Sequence, residues 1–251
     1  MARLIFLGTS NAVASAHHEN THLAVVGESG FVLIDCGSRP LIRLKEAGLD
    51  FRDLTDLILT HFHPDHVSGV PLLIQNMWQL RRTRPLNIYG LRHTLDRLGE
   101  LLGFYDWNEW PNFFPVSFHQ IPERSRAHVL DSQEFSITAS PVRHFIPTLG
   151  IRIESLASGR VLAYSCDTEP CPEVIDLARE ADFLVHEAHG EATGHSSAAQ
   201  AGGIARQAGA KQLYLIHYPT WETDAEPLVQ EASEGFAGPV FLARDLEEIV
   251  F

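Results

Sequence analysis

Short apolar runs, separated by polar turns with Gly and Pro, set the rhythm of the chain. Leu4 to Leu7, Phe31 to Ile34, Leu57 to Leu59, Val161 to Tyr164, Phe183 to Val185 and Leu213 to Ile216 have the length and composition of buried strands. Helical spacing of apolar residues predicts helices at about 40–47, 67–82, 91–102, 172–181, 196–209 and 224–234. The stretch 196–209 is rich in Ala and has a cap candidate, Ser196, at its start. Strands crowd the first third of the chain, and helices alternate with strands after residue 170. That layout is α/β and suits two packed sheets covered outside by helices. No linker, repeat or low-complexity stretch divides residues 1–251, so we read one domain.

The polar groups fall where such a fold collects ligands. Asp35, His61, Asp167, His186 and His217 each stand at or just past the end of an apolar strand, and α/β folds bind ligands at strand ends. One such residue alone is an ordinary turn or cap; five point at one crevice. After Leu59 the chain reads Thr60-His61-Phe62-His63-Pro64-Asp65-His66, an HxHxDH pattern. In an extended strand exit alternate side chains share a side, so His61 and His63 can hold one ion while Asp65 and His66 turn to a second. Burying three imidazoles and a carboxylate without a metal would demand many compensating hydrogen bonds. Two ions with open positions need more donors than the motif supplies. His144, Asp167 and His217, each after an apolar strand, provide them.

Composition narrows the partners. With 19 Lys and Arg against 32 Asp and Glu, the formal charge is -13, which disfavours non-specific attraction to nucleic acid or an anionic membrane. Arg81, Arg82, Arg84 and Arg92 form the one local basic cluster, which a solvated helix end explains equally well. Cys36, Cys166 and Cys171 are odd in number and lack zinc spacing, so reduced thiols and a cytoplasmic protein are expected. No window approaches the ~20 apolar residues of a membrane span. Of the 14 histidines, His17, His18 and His22 are expected at the surface of the first loop. Trp78, Tyr105, Trp107 and Trp110 are read as core packing, with the aromatic stretch Phe104 to Pro115 as a loop over the site or a dimer surface.

The order HxHxDH, His, Asp, His resembles the metallo-β-lactamase superfamily. That resemblance implies an αββα four-layer sandwich, two mixed β-sheets flanked by helices, with two metals at the strand ends and Asp167 bridging them. Within the superfamily the chain resembles ribonuclease Z, the tRNA 3′-endonuclease family, over almost its full length. Leu4-Ile5-Phe6-Leu7-Gly8-Thr9-Ser10, Leu33-Ile34-Asp35-Cys36-Gly37, Pro85-Leu86-Asn87-Ile88-Tyr89-Gly90 and Leu242-Ala243-Arg244-Asp245 resemble family segments. His186-Glu187-Ala188 resembles the HEAT motif, and Gly194-His195-Ser196-Ser197 the GHST segment. Two features depart from the family. Only 22 residues separate His144 from Asp167, too few for the Gly- and Pro-rich tRNA-gripping arm, and Tyr218-Pro219-Thr220-Trp221 replaces the SxRY that follows the last metal histidine.

The expected chemistry is hydrolysis of a phosphodiester, an RNA 3′ end or a smaller diester, by hydroxide held between two divalent ions. Zinc is the default from family likeness, with manganese or iron also suited to imidazole and carboxylate donors. Asp65 is both ligand and a candidate to orient the water. The resemblance assigns His195 as proton donor to the leaving group, with Glu187 or His186 orienting it. Asp35 fits a carboxylate that braces the HxHxDH loop. Ser196 and Ser197, with the free amides of the helix start, are phosphate-binding candidates. A homodimer is implied by the family. The alternatives are hydrolysis of a carboxylic ester, thioester or lactone on the same fold, and a non-catalytic scaffold, which would have no need of seven ligands.

Overall fold

The computed structural model describes residues 2–37 and 39–251. Its apolar runs are buried on both faces, and period-two alternation sends successive side chains to two different cores. In β1 (Arg3–Gly8), Leu4 and Phe6 face the middle of the molecule while Ile5 and Leu7 face outward under helices. β2 (His22–Val26) repeats the division, with Leu23 and Val25 inward and Ala24 and Val26 outward.

The first sheet continues through β3 (Phe31–Ile34), β4 (Leu54–Ile58), β5 (Leu86–Gly90) and β6 (Val116–Gln120). The second holds β7 (Ala127–Asp131), β8 (Phe135–Val142), β9 (Thr148–Ser155), β10 (Val161–Tyr164), β11 (Phe183–Glu187), β12 (Gln212–Ile216) and β13 (Val240–Leu242). The closing strand, β14 (Glu248–Val250), returns to the first sheet beside β1. The spatial orders are β14-β1-β2-β3-β4-β5-β6 and β13-β12-β11-β10-β9-β8-β7. Each sheet is mixed. β14 to β3 and β7 to β10 pair antiparallel, whereas β3 to β6 and β10 to β13 pair parallel.

Phe6, Leu23, Ile34, Ile151, Leu162 and Val185 meet between the sheets; each such side chain contributes about 1.5–3 kcal/mol on burial. Helices α1 (Pro40–Glu46), α2 (Pro64–Val67), α3 (Val70–Gln79) and α4 (Arg92–Gly103) follow strands of the first sheet, and Leu44, Leu73, Met77 and Leu98 close its outer core. Helices α5 (Pro172–Leu177), α6 (Ala198–Ala208) and α7 (Pro227–Gly235) cover the second through Val174, Ala201, Ala205 and Ala232. The result is the four-layer αββα sandwich expected from the sequence.

The helix expected at 67–82 spans Val70–Gln79, and Ser68 and Gly69 part it from the short α2, where the chain presses against the loop after β3. The amide of Gly69 donates to the carbonyl of Cys36 at 3.0 Å, and a Cβ there would lie 1.7 Å from the carbonyl oxygen of Gly37. Only glycine permits that approach, which brings Asp35 beside the HxHxDH loop.

Candidate metal centre

The strand ends deliver their polar residues to one edge of the sandwich. β4 leads into His61, His63, Asp65 and His66; β8 into His144; β10 into Asp167; β12 into His217; β3 into Asp35 and β11 into Glu187. Asp35, Cys166 and His217 stand just past their strands with φ of 61°, 55° and 54°. That left-handed backbone costs non-glycine residues roughly 1–2 kcal/mol each. Backbone bonds hold two of these turns: Asp35 N–H donates to the carbonyl of Ile58 at 2.8 Å, and His217 N–H to that of Thr9 at 2.8 Å. Strain kept at a functional edge in this way aims side chains.

Two groups of donors result, with Asp167 between them. His61 Nε2 lies 3.0 Å from His63 Nδ1, which lies 3.2 Å from His144 Nε2. Across the crevice, His66 Nε2 lies 3.3 Å from Asp65 Oδ2. Asp167 Oδ2 is 3.8 Å from His61 Nε2, 3.5 Å from His66 Nε2 and 3.4 Å from His217 Nε2. Potential ligand atoms of His61, His63, His144 and Asp167 fall within 4.8 Å of one another, and so do those of Asp65, His66 and His217.

The far side of each ring fixes which nitrogen faces inward, as assigned from the hydrogen-bond network. Asp35 Oδ2 accepts from His66 Nδ1 at 2.8 Å. The Thr60 hydroxyl donates to Asp35, 2.9 and 2.8 Å from its two oxygens, and keeps a lone pair for His61 Nδ1–H at 3.1 Å. Thr21 donates its hydroxyl proton to the carbonyl of Ser10 at 2.8 Å and accepts from His217 Nδ1–H at 3.3 Å. His144 Nδ1–H donates to the carbonyl of Gly194 at 2.6 Å. The four Nε2 atoms therefore present bare lone pairs to the crevice.

Lone pairs so close repel unless a cation lies among them. Nitrogens bound to one tetrahedral zinc sit about 3.3 Å apart, near the separations seen here. His66 Nε2 and Asp167 Oδ1 are buried with no hydrogen-bond partner among the described residues. The electrostatics agree. Burial holds His61 well below the usual imidazole range and His217 down to about 4, so both rings are neutral donors. His66 goes the other way: burial opposes its charge, but Asp167, Asp35 and Asp65 raise it well above that range, so these carboxylates call for a positive charge at its Nε2, which either a proton or a bound cation supplies. The residues present fit divalent metal.

A second machinery adjoins the first. His195 Nδ1 donates to Glu187 Oε1 at 3.0 Å, which also accepts the amide of Thr168 at 2.9 Å, while Glu187 Oε2 accepts the amide of His189 at 3.0 Å. Burial disfavours charge on His195, but the bond to Glu187 and its charge raise its pKa on balance. The ring of His195 stands edge-on to His144 at 5.0 Å, at the border of the donor cluster.

Several expectations need correction. His186 does not orient His195: it lies on the opposite face of β11 from Glu187, its Nδ1 meets the carbonyl of Glu187 at 2.8 Å, and its Nε2 is buried without a partner among the described residues. Ser196 is fully buried and donates to the carbonyl of Thr168 at 2.6 Å. Ser197, not Ser196, caps α6, closing a capping box with Gln200. The Ser196 proton is thus spent on backbone, whereas Ser197 accepts from the Gln200 amide. His22 is not a surface residue: it opens β2, is 1% exposed, and burial pushes it down to about 4. Arg82 is no phosphate clamp, since its guanidinium is spent on the carbonyls of Phe51, Leu54, Arg84 and Pro85. The sequence reading also missed His189, whose ring stacks on His195 at 4.2 Å; a fourth-position His in the segment resembling HEAT was its only signal.

Proteins of known structure superpose on this chain over nearly its whole length. The metallo-β-lactamase fold protein YhfI from Bacillus subtilis superposes with a TM-score of 0.84 at 23% identity, covering 99% of this chain and 98% of that one. Human short-form tRNase Z superposes at 0.78 with 24% identity, covering 99% and 98%. Ribonuclease Z of Methanothermobacter thermautotrophicus is 28% identical over 292 residues, 94% of this chain and 92% of its own length. Fold and site together define a ribonuclease Z-like, metal-dependent hydrolase of the metallo-β-lactamase fold. More particularly, the family model described as Anti-Pycsar protein Apyc1 matches residues 2–239, and the chain belongs to that family.

Proposed function

We propose that the protein is a dinuclear metal-dependent phosphodiesterase that acts on a small phosphodiester. The observation that carries this reading is the inward aim of four fixed Nε2 lone pairs around Asp167 Oδ2. His61, His63 and His144 would hold one ion, Asp65, His66 and His217 the other, with Asp167 shared. Such ions, zinc by family likeness, supply Lewis acidity toward phosphoryl oxygens and acidify water to near neutrality.

The chain's own residues complete the reaction. Asp65 faces His66 and is well placed to orient the attacking water and accept its proton. His195, protonated and with Nδ1 committed to Glu187, donates from Nε2 to the oxygen that leaves phosphorus. A diester and water thereby give a monoester and an alcohol, with no net proton change at His195 once it is reprotonated. The His195–Glu187 pair would serve any alkoxide leaving group, so what favours a phosphodiester over an ester or lactone is the likeness to ribonuclease Z.

Three observations favour a small substrate over precursor tRNA. The 292-residue alignment exceeds the 251 residues of this chain, so that ribonuclease Z carries segments missing here. The net charge is -13, and within the basic cluster Arg82 is committed to carbonyls and Arg92 to Asp96. Exposed Phe104 and Tyr105 beside the stacked Trp78 and Trp110 offer an apolar surface for the homodimer implied by the family. Cys36, Cys166 and Cys171 are buried free thiols, as a reducing, cytoplasmic setting would leave them.

The test is a size series assayed on one preparation: a 3′,5′-cyclic mononucleotide, a bis(4-nitrophenyl) phosphodiester, a dinucleotide and a precursor tRNA. Turnover of the small diesters with none of tRNA is expected, together with two metal equivalents per chain. Activity on a lactone or thioester, with none on any diester, would overturn the reading. Light scattering reports the dimer.

A further inference from the structure

His189 is the one imidazole beside the centre that the chemistry above leaves unused. It belongs to none of the donor groups that could hold an ion, and its Nδ1 is buried without a hydrogen-bond partner among the described residues. Yet its ring lies on the face of His195, centroids 4.2 Å apart and planes 18° from parallel. The same carboxylate controls both residues, since Glu187 takes the ring proton of His195 on one oxygen and the amide of His189 on the other. His144 and Phe145 stand edge-on to His195, each ring at 73°.

These contacts divide the control of one ring. The bond to Glu187 fixes a point, Nδ1, about which the imidazole can still swing. His144 and Phe145 limit it at its edges. A flat ring pressed on its face removes the remaining rotation. We propose that His189 is a positioning residue that holds the His195 ring in line with the departing oxygen, so that the enzyme handles alcohol leaving groups which cannot depart without a proton.

The step at issue is one proton transfer: the phosphorus–oxygen bond breaks, its electron pair stays on the leaving oxygen, and the proton of His195 Nε2 neutralises it. A 4-nitrophenolate departs without that proton; a ribose alkoxide does not. The inference rests on the phosphodiesterase reading, and two substrates distinguish the failures.

The metal-loaded protein and its His189→Ala, His189→Phe and His195→Ala variants are assayed on bis(4-nitrophenyl) phosphate and on a dinucleotide, with metal content and melting temperature recorded. A general acid contributes about 10²–10⁴-fold. His195→Ala should therefore lose about 10²-fold or more in kcat on the dinucleotide and little on the aryl diester. His189→Ala should lose about 10-fold in kcat on the dinucleotide alone, with KM and metal content unchanged, because the donor remains but is misaligned. His189→Phe keeps the flat face and should retain most of the turnover.

Equal losses of His189→Ala on both substrates, or loss of metal, would make the residue structural and overturn the proposal. So would full activity of His189→Ala on the dinucleotide, or a His189→Phe variant as impaired as the alanine. If His195→Ala itself spares the dinucleotide, the proton-donor reading fails and the proposal with it.

Discussion

The HxHxDH loop and the segment from Glu187 to Ser197 line the same crevice but are held in opposite ways. In the first, the bonds are chained: Asp35 accepts from His66 and from both the amide and hydroxyl of Thr60, and Thr60 in turn braces His61. In the second, Glu187 is the one side-chain acceptor for the His195 ring and also takes the amides of Thr168 and His189, while Gly194 and Ser196 are tied separately to Glu169 and Thr168. Metal ligands need fixed positions before the ion arrives, and overlapping bonds give them. A proton donor needs one aligned nitrogen and a tuned charge, which a single partner can set.

The largest effect should come where the two halves of the metal site meet. Asp167→Asn removes the shared charge and is expected to lower turnover by about 10³-fold or more, with metal content falling in the same preparation. Retention of both would break the view of Asp167 as the hub. Next, Asp35→Asn should weaken metal binding by about 10–100-fold, as loss of an outer carboxylate does. Chelator competition measures it, and an unchanged affinity would mean that the loop holds its ligands without Asp35.

The proton-handling half should respond in pH rather than in metal. His195 donates only while protonated, so turnover of an alkoxide-leaving diester is present below its pKa and lost as pH rises through it. Glu187 holds that pKa up. Glu187→Gln should therefore move the alkaline limb of the pH–rate profile to lower pH while leaving metal content intact. A shift to higher pH, or none, would separate Glu187 from the donor. Ser197→Ala should have the smallest effect: about 1 kcal/mol of stability from the lost cap, read as roughly a 2–4 °C drop in melting temperature, with KM unchanged. A raised KM would return Ser197 to contact with the substrate.

How much of this was legible beforehand follows the same division. The ligands could be read because four lie in six residues and the rest end apolar strands, a pattern that strand geometry enforces. Asp35 was found by the same rule. The second half was harder because polar side chains there compete for nearby backbone. Ser196 and Ser197 look free in sequence, but a carbonyl of Thr168 and the amide of Gln200 claim them. His186 and Glu187 are neighbours in sequence but face opposite sides of β11, so only one could meet His195. His22 resembled its exposed neighbours, yet pairing of β2 between β1 and β3 buries it. Nothing in a linear chain announces a ring stacked face to face across six residues, as His189 is on His195.

The hydroxyl and carboxylate braces behind His61, His66 and His217 also bear on which element the protein carries. Donors already aimed before an ion arrives select by size and preferred geometry and adapt little to the guest. Among divalent ions of similar radius such a cage discriminates weakly, and the order of affinities is the general one for nitrogen and oxygen donors. The choice of metal would then depend on supply as well as on affinity, and the same sequence made in differently provisioned cells would be expected to differ in metal content.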